Sequence, residues 1–377
     1  MVGVSLLVFG IIVALAQSLS SSSVTNRYSH DGGHSGVGGG ALSIDDSRIV
    51  QGQRYRLILP PSSSASTSAE TTTTYPLLVL LGGMAQTMAS WEHHIPALTR
   101  NRPVLLYECI GQGRRHLPDD GYSYSNVSLP YQADQLIQTL NDVFQLQSQL
   151  QAQAQSQAHF LQSPVDVVGF SLGGRVAMAM ACQYPHWIRK LHLTGIGTDR
   201  SDYGHLAIRS WMDALQYSRK GTVGEIIRRS HDDADADDAD ADDAVVVPSS
   251  FAWSVLLATY SPSFLRRQGW KKLETWIHHI CQSNDRQGLL ALLEQAEVTD
   301  EHDPWHVRSM AQRLDRTIPG HLCVGGLDVM APPNETRQLC QLLGWNDEPT
   351  IIENCGHAVG MEAPRKWRDD VLNFLNY

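Results

Sequence analysis

The sequence predicts an α/β fold: a mainly parallel sheet with helices on both faces, interrupted by one long helical insert. Three observations point to it. Short β-branched or leucine-rich runs, at Leu77–Leu81, Val104–Tyr107 and Val165–Val168, read as strands buried on both faces. Stretches of helical spacing separate these runs, and strands alternating with helices close into a parallel sheet through crossover connections. From about Thr198 to Arg316 the strand signals stop and only helical segments follow one another.

At 377 residues with 42% hydrophobic content, the chain can bury a large core. The formal net charge of −10 is misleading. Asp232–Asp243 reads DDADADDADADD and holds eight aspartates, so the remainder sits near −2. Nothing resembles a basic footprint for nucleic acid. Residues 2–16, VGVSLLVFGIIVALA, are apolar and uncharged. That length suits a signal-peptide core better than a bilayer span, with Ala14-Leu15-Ala16 as the cleavage site and an uncleaved anchor as the alternative. Residues 17–30 are serine-rich with Arg27 and no acidic residue, a composition like that of a transit peptide. The chain is therefore expected to enter the secretory pathway, ending in a plastid through a bipartite leader or being secreted, with no stable membrane span once the leader is removed. Cys109, Cys182, Cys281, Cys323, Cys340 and Cys355 show no close pairing pattern and read as small core residues.

Residues 1–45 are leader and Ser/Gly linker, which cannot bury enough apolar surface to fold. The first part of the core spans 46–197 and opens with a hairpin at Arg48–Val50 and Arg54–Leu59; a Ser/Thr loop, Pro60–Thr74, follows. The strands ending at Leu81 and Glu108 come next, then a helix from Tyr131 to about Ala158. In that helix Ala133, Leu136, Ile137, Leu140, Val143 and Phe144 make one stripe, which fails at Gln147. A strand at Lys190–Thr194 closes this part. Residues 198–316 read as a helical lid, with helices at Leu206–Gln216, Phe251–Tyr260, Trp270–Cys281, Gly288–Glu297 and Trp305–Leu314. The acidic run lies inside it as a solvated loop, because like charges at helical spacing repel. Residues 317–377 complete the core with strands at His321–Gly325 and Thr350–Glu353, and helices at Glu335–Leu343 and Pro364–Leu375.

Candidate catalytic residues fall where strands end. Gly169-Phe170-Ser171-Leu172-Gly173 joins a strand directly to a helix, with glycines two before and two after the serine. This G-x-S-x-G pattern marks a turn so sharp that a β-carbon at either glycine would clash, and it holds the serine hydroxyl above the sheet. A serine hydroxyl is a weak nucleophile and needs an imidazole to take its proton, and the imidazole needs a carboxylate to fix its tautomer. Asp328, after the His321 strand, and His357, after the Thr350 strand, supply these types at strand ends. Asp199, after the Lys190 strand, is the fallback acid. The oxyanion hole is expected from the backbone N–H of Leu172 and of Met84, with Gly83 beside them in the substrate site. Trp91, His93 and His94 are expected to pack against the lid or lie on the surface. No metal motif is found: His93-His94 and His278-His279 are adjacent pairs that do not share a helix face.

The order Ser171, Asp328, His357, together with the elbow, resembles the α/β-hydrolase superfamily from about residue 48 to the C-terminus. The resemblance implies the α/β-hydrolase fold, no cofactor, and a small-molecule ester or thioester substrate. Gly169-Phe-Ser-Leu-Gly-Gly-Arg also resembles the 2-succinyl-6-hydroxy-2,4-cyclohexadiene-1-carboxylate synthases. In that branch the arginine four residues after the serine helps hold a carboxylate substrate, which implies the same role for Arg175. Pairing with an acidic neighbour on the helix surface is the alternative for Arg175. Three functions therefore stand: a serine hydrolase, a pyruvate-eliminating lyase using the same triad, and a ligand-binding receptor on a hydrolase scaffold. The lid arginines Arg200, Arg209, Arg228 and Arg229 have no match in the synthase branch's pattern, and the lid is longer than that branch needs. Oligomeric state is not legible in the sequence.

Overall fold

The computed structural model of the chain describes residues 48–50, 53–60, 75–113, 124, 126–154, 163–217, 246–297, 302–345 and 348–376. The leader, most of the Ser/Thr loop, the acidic run, Arg228 and Arg229 lie outside the described residues. The sheet has eight strands: β1 (Arg48–Val50), β2 (Gln53–Ile58), β3 (Leu78–Leu81), β4 (Val104–Glu108), β5 (Val165–Phe170), β6 (Ile188–Thr194), β7 (Gly320–Gly325) and β8 (Thr350–Ile352). Their spatial order is β1-β2-β4-β3-β5-β6-β7-β8. The opening hairpin β1–β2 is antiparallel and joins β4 antiparallel; every other neighbouring pair is parallel. β3, β4 and β5 are buried along their whole length, as their apolar runs require.

Two hydrophobic layers cover the sheet. On one side lie α1 (Leu129–Ala154) and α2 (Leu172–Gln183). Ala133, Leu136, Ile137 and Leu140 of α1 are buried there, as the stripe requires. On the other side Trp367, Val371 and Leu375 of the C-terminal helix (Pro364–Asn376) pack with Trp91 and Leu98. Five of the six cysteines are buried and none is in a disulfide.

The helical insert between β6 and β7 has its own cluster. It is built from α3 (Asp202–Tyr217), α4 (Ser249–Thr259), α5 (Pro262–Gln268), α6 (Trp270–Ser283) and α7 (Arg286–Ala296). Ile208, Trp211, Phe251, Leu256, Ile277 and Leu289 are buried within it, and Ala85 and Met330 of the core reach into it. α5 was not anticipated; Pro262 at its first turn and the Ser261 cap, whose hydroxyl accepts from Phe264 N, are the signals that mark it. The boundary at 316 also needs correction. The next helix, α8 (Val307–Arg313), buries Val307, Met310 and Ala311 in the α1–α2 layer rather than in the insert. Helix α9 (Pro333–Leu343) packs beside it, and the C-terminal helix is α10. Among the described residues no helix is long and apolar enough to cross a membrane.

Of the residues expected against the lid or on the surface, Trp91 and His94 take neither place. His93 is exposed, whereas Trp91 and His94 are buried against Trp367 of α10, with ring centroids 5.7 and 4.6 Å away. Burial, with the neighbouring His93 and Arg368, pushes the His94 imidazole down to about 3. His94 is thus neutral in the folded chain and protonates readily when unfolded, near pH 6.5. Its folded value lies below its unfolded one, so stability is full above about pH 6.5 and is lost as pH falls toward 3, by roughly a few kcal/mol. The melting temperature is expected to fall steeply over that window. In His94→Gln, which cannot take the proton, the acid limb should be shallower; parallel profiles for the two proteins would refute this account.

Candidate active site

The strand-to-helix turn carries Ser171 at φ 52° and ψ −115°, a left-handed backbone unusual for a residue with a β-carbon. Such strain costs on the order of 1–3 kcal/mol and persists because the flanking elements impose it. A β-carbon at Gly169 would come within 2.5 Å of Gly174 Cα, and one at Gly173 would run into the Leu81 carbonyl. The two glycines therefore allow α2 to start against the ends of β3 and β5. Gly173 N donates to Gly82 O at 3.0 Å, stitching the elbow to the loop after β3.

Asp328 and His357 sit on neighbouring loops at the ends of β7 and β8. Gly326 N donates to Ile352 O at 3.0 Å and Leu327 N to Cys355 O at 2.8 Å, so the two loops are fastened to each other. His357 Nδ1 meets Asp328 Oδ2 at 2.7 Å, with both side chains almost fully buried. The other carboxylate oxygen, Oδ1, accepts from Met330 N and Ala331 N, each at 2.9 Å. Asp328 is thereby held in one orientation from both ends. The imidazole packs on Phe170, with ring centroids 5.0 Å apart. On its other side it approaches Gly195, where an added β-carbon would lie 3.0 Å from His357 Cε1.

Ser171 and His357 line one cavity of about 370 Å³ between the sheet and the insert. Met84, Leu172 and Arg175 also line it. Among the described residues, the backbone N–H groups of Met84 and Leu172 meet no protein acceptor. Gly83 behaves differently from its expected role in the substrate site. It is not a cavity-lining residue, and its N–H donates to Gln86 Oε1 at 2.8 Å. A β-carbon there would press on the Phe170 ring at 2.8 Å, so Gly83 is needed for the close approach of loop and elbow.

Asp199, the fallback acid, lines the cavity but does not meet His357. Arg308 holds it through Nε at 2.7 Å and through Nη2, and His306 Nε2 lies 3.4 Å from its other oxygen. Arg175 is on the cavity wall rather than on the helix surface, and among the described residues it has no ion pair or hydrogen bond. Burial lowers its pKa against a counteracting influence from Asp199. Arg200 also lines the cavity; burial and the adjacent Arg175 push it down to about 9, and Nη1 donates to Ala296 O at 2.6 Å. Arg209 faces outward and pairs with Glu297 at 2.7 Å.

Sequence reasoning missed Glu362, whose Oε1 accepts from Gly356 N at 2.9 Å and Ser261 N at 2.8 Å. It ties the His357 loop to the insert, and a lone glutamate before a C-terminal helix carries no signal of that. His192, His321 and Asp370 place their ligand-type atoms within 4.8 Å of one another, a grouping that could hold a metal ion. The contacts are equally those of a hydrogen-bond network: His192 Nε2 to Asp370 Oδ2 at 2.9 Å, His321 Nε2 to Oδ1 at 3.2 Å, and Thr350 Oγ1 to Oδ1 at 2.6 Å. That network fastens α10 to β6, β7 and β8.

A nucleophile-elbow turn, a His–Asp pair on adjacent strand ends and a helical insert over the cavity define an α/β-hydrolase site. The chain belongs to the alpha/beta hydrolase family, whose model matches residues 78–369. It is 24% identical over 304 residues to the pyrrolizixenacetamide deacetylase of Xenorhabdus hominickii, covering 80% of this chain and 91% of that one. Solved structures share the fold. One is MGS-M2, an alpha/beta hydrolase enzyme from a Medee basin deep-sea metagenome library (18% identity, TM-score 0.58, 88% of this chain and 97% of that one). Another is the enol-lactonase from Burkholderia xenovorans LB400 (17% identity, TM-score 0.56, 88% and 99%).

Proposed function

We propose that this chain is a serine hydrolase acting on a carboxylic ester or thioester. Ser171 is the nucleophile, His357 the general base and acid, and Asp328 the carboxylate that orients the imidazole. The observation that carries the reading is the buried 2.7 Å His357–Asp328 hydrogen bond on the same cavity as a serine at a left-handed strand-to-helix turn. His357 Nε2 takes the Ser171 proton as Oγ attacks the acyl carbon. The carbonyl oxygen becomes an oxyanion facing Leu172 N and Met84 N. On collapse, the same imidazole gives its proton to the leaving alcohol or thiol. Water then repeats the sequence on the acyl-enzyme, releasing the acid and restoring Ser171. Labelling of Ser171 by a fluorophosphonate probe tests the reading; a folded protein that does not label would sink it.

A second reading, the pyruvate-eliminating synthase chemistry, is favoured by the unpaired Arg175 on the cavity wall beside Arg200. There the triad would abstract a substrate proton, and no acyl-enzyme would form. A guanidinium facing a carboxylate is worth roughly 1.5–3 kcal/mol. Arg175→Ala should accordingly raise KM for a carboxylate-bearing substrate about 10- to 100-fold, while changing KM for a neutral aryl ester far less. Equal effects on both substrates would remove the case for an anion site.

A further inference from the structure

We propose that Asn284, at the end of α6 in the insert, is a positioning residue for the oxyanion hole, so that the insert helps to build the catalytic site it covers. The inference rests on the serine-hydrolase reading above and adds a residue outside the triad to it.

The loop after β3 must present Met84 N toward the cavity, yet it cannot hold that shape unaided. Ala85, the next residue, sits at φ 60°, a left-handed conformation that a β-carbon disfavours. Within the loop the Gly83–Gln86 turn constrains it: Gln86 N donates to Gly83 O at 3.1 Å and Gly83 N to Gln86 Oε1 at 2.8 Å. The remaining constraints come from other elements. Asn284 Nδ2 donates to Ala85 O at 3.2 Å, which pins the Ala85–Gln86 peptide, two peptides on from the one that carries Met84 N. His279, one turn earlier on α6, places Nε2 3.3 Å from Thr87 Oγ1. From the sheet side, Met88 N donates to Glu108 Oε1 at 3.1 Å.

Asn284 is suited to this role because it is itself immobilised. It is 1% exposed, its Nδ2 also donates to Ile280 O at 3.1 Å, and its Oδ1 accepts from Gly113 N at 3.2 Å. One amide thus joins three segments: α6, the loop after β4 and the loop that carries Met84. Seen in sequence, Ser283-Asn284-Asp285 is a helix end followed by the Asp285 cap of α7, and a terminal asparagine there needs no further role. The contact to Ala85 O gives it one.

An oxyanion donor acts on the transition state and hardly on the bound ester, so its displacement lowers kcat without raising KM. Removing such a donor costs about 10²–10³ in rate, and a partial displacement less. Asn284→Ala is expected to reduce kcat for a neutral aryl ester about 10- to 100-fold with KM within about 2-fold. Affinity for a trifluoromethyl ketone, which forms the oxyanion on Ser171, should fall in parallel with kcat. Adding Ala85→Gly to the Asn284→Ala protein should recover part of the lost kcat, because glycine adopts the left-handed conformation without the clamp. A protein in which Asn284 served folding alone would show none of this rescue. Should Asn284→Ala not fold, Asn284→Asp carries the same test: it keeps the acceptor for Gly113 N and loses the donor to Ala85 O. Unchanged kcat in a folded variant, or a loss confined to KM, would overturn the proposal. Ser171 labelling of the unaltered protein keeps the two readings apart. Failure there refutes the hydrolase itself, whereas labelling with an indifferent Asn284 refutes only the positioning role.

Discussion

Ser171→Ala is expected to lower kcat for an activated ester on the order of 10⁶-fold and to abolish fluorophosphonate labelling, with the melting temperature nearly unchanged. The magnitude follows from the proposed covalent route: without Oγ no acyl-enzyme forms, and what remains is binding and the proposed donors at Met84 and Leu172. Stability should survive because alanine keeps the same β-carbon at φ 52°, so the turn is no more strained than before. Ser171 is also only partly buried, so no packed volume is lost. Labelling that persisted in Ser171→Ala would place the nucleophile elsewhere.

Asp328→Asn is expected to cost about 10⁴-fold in kcat, comparable to the loss of tautomer control in other triads. The hydrogen bonds explain why an isosteric change is so damaging. Oδ1 accepts from two backbone N–H groups, Met330 and Ala331, so the asparagine must place its carbonyl oxygen there. Its NH2 then faces His357 Nδ1 and donates to it. The imidazole proton is forced onto Nε2, the nitrogen that must be free to receive the Ser171 proton. Asp199→Asn should cost far less, since Asp199 is occupied by Arg308 and His306. Kinetics of the two variants on one neutral ester decide between the acids. A 10⁴-fold loss in Asp199→Asn with an active Asp328→Asn would reverse the assignment.

How much of this was legible beforehand differs between parts of the chain for physical reasons. The parallel strands were legible because a strand buried on both faces is built mainly of apolar residues, as β3 (LVLL) is throughout and β4 is up to its terminal Glu108. Ser171 was legible because an elbow that crowds its neighbours leaves glycine at fixed offsets. α5 was missed because a seven-residue helix offers no repeated stripe. Trp91 and His94 were misplaced because an aromatic run does not say which apolar surface it will meet. The surface turned out to be Trp367, more than 270 residues away.

Arg175 shows the same limit at the site itself. Its position one helical turn beyond Ser171 is a property of sequence, but whether it pairs with a neighbour depends on where Asp199 points. Arg308, from α8 in the α1–α2 layer, holds the Asp199 carboxylate instead. The sheet, the elbow and the residue types at three strand ends are local properties of the chain, because they follow from crowding between near neighbours and from the period of apolar side chains. Which carboxylate reaches His357, which arginine stays unpaired on the cavity wall among the described residues, and the grip of Asn284 on the Ala85 carbonyl emerge from the folded chain. Those depend on distances between segments far apart in the chain, and no local spacing encodes such distances.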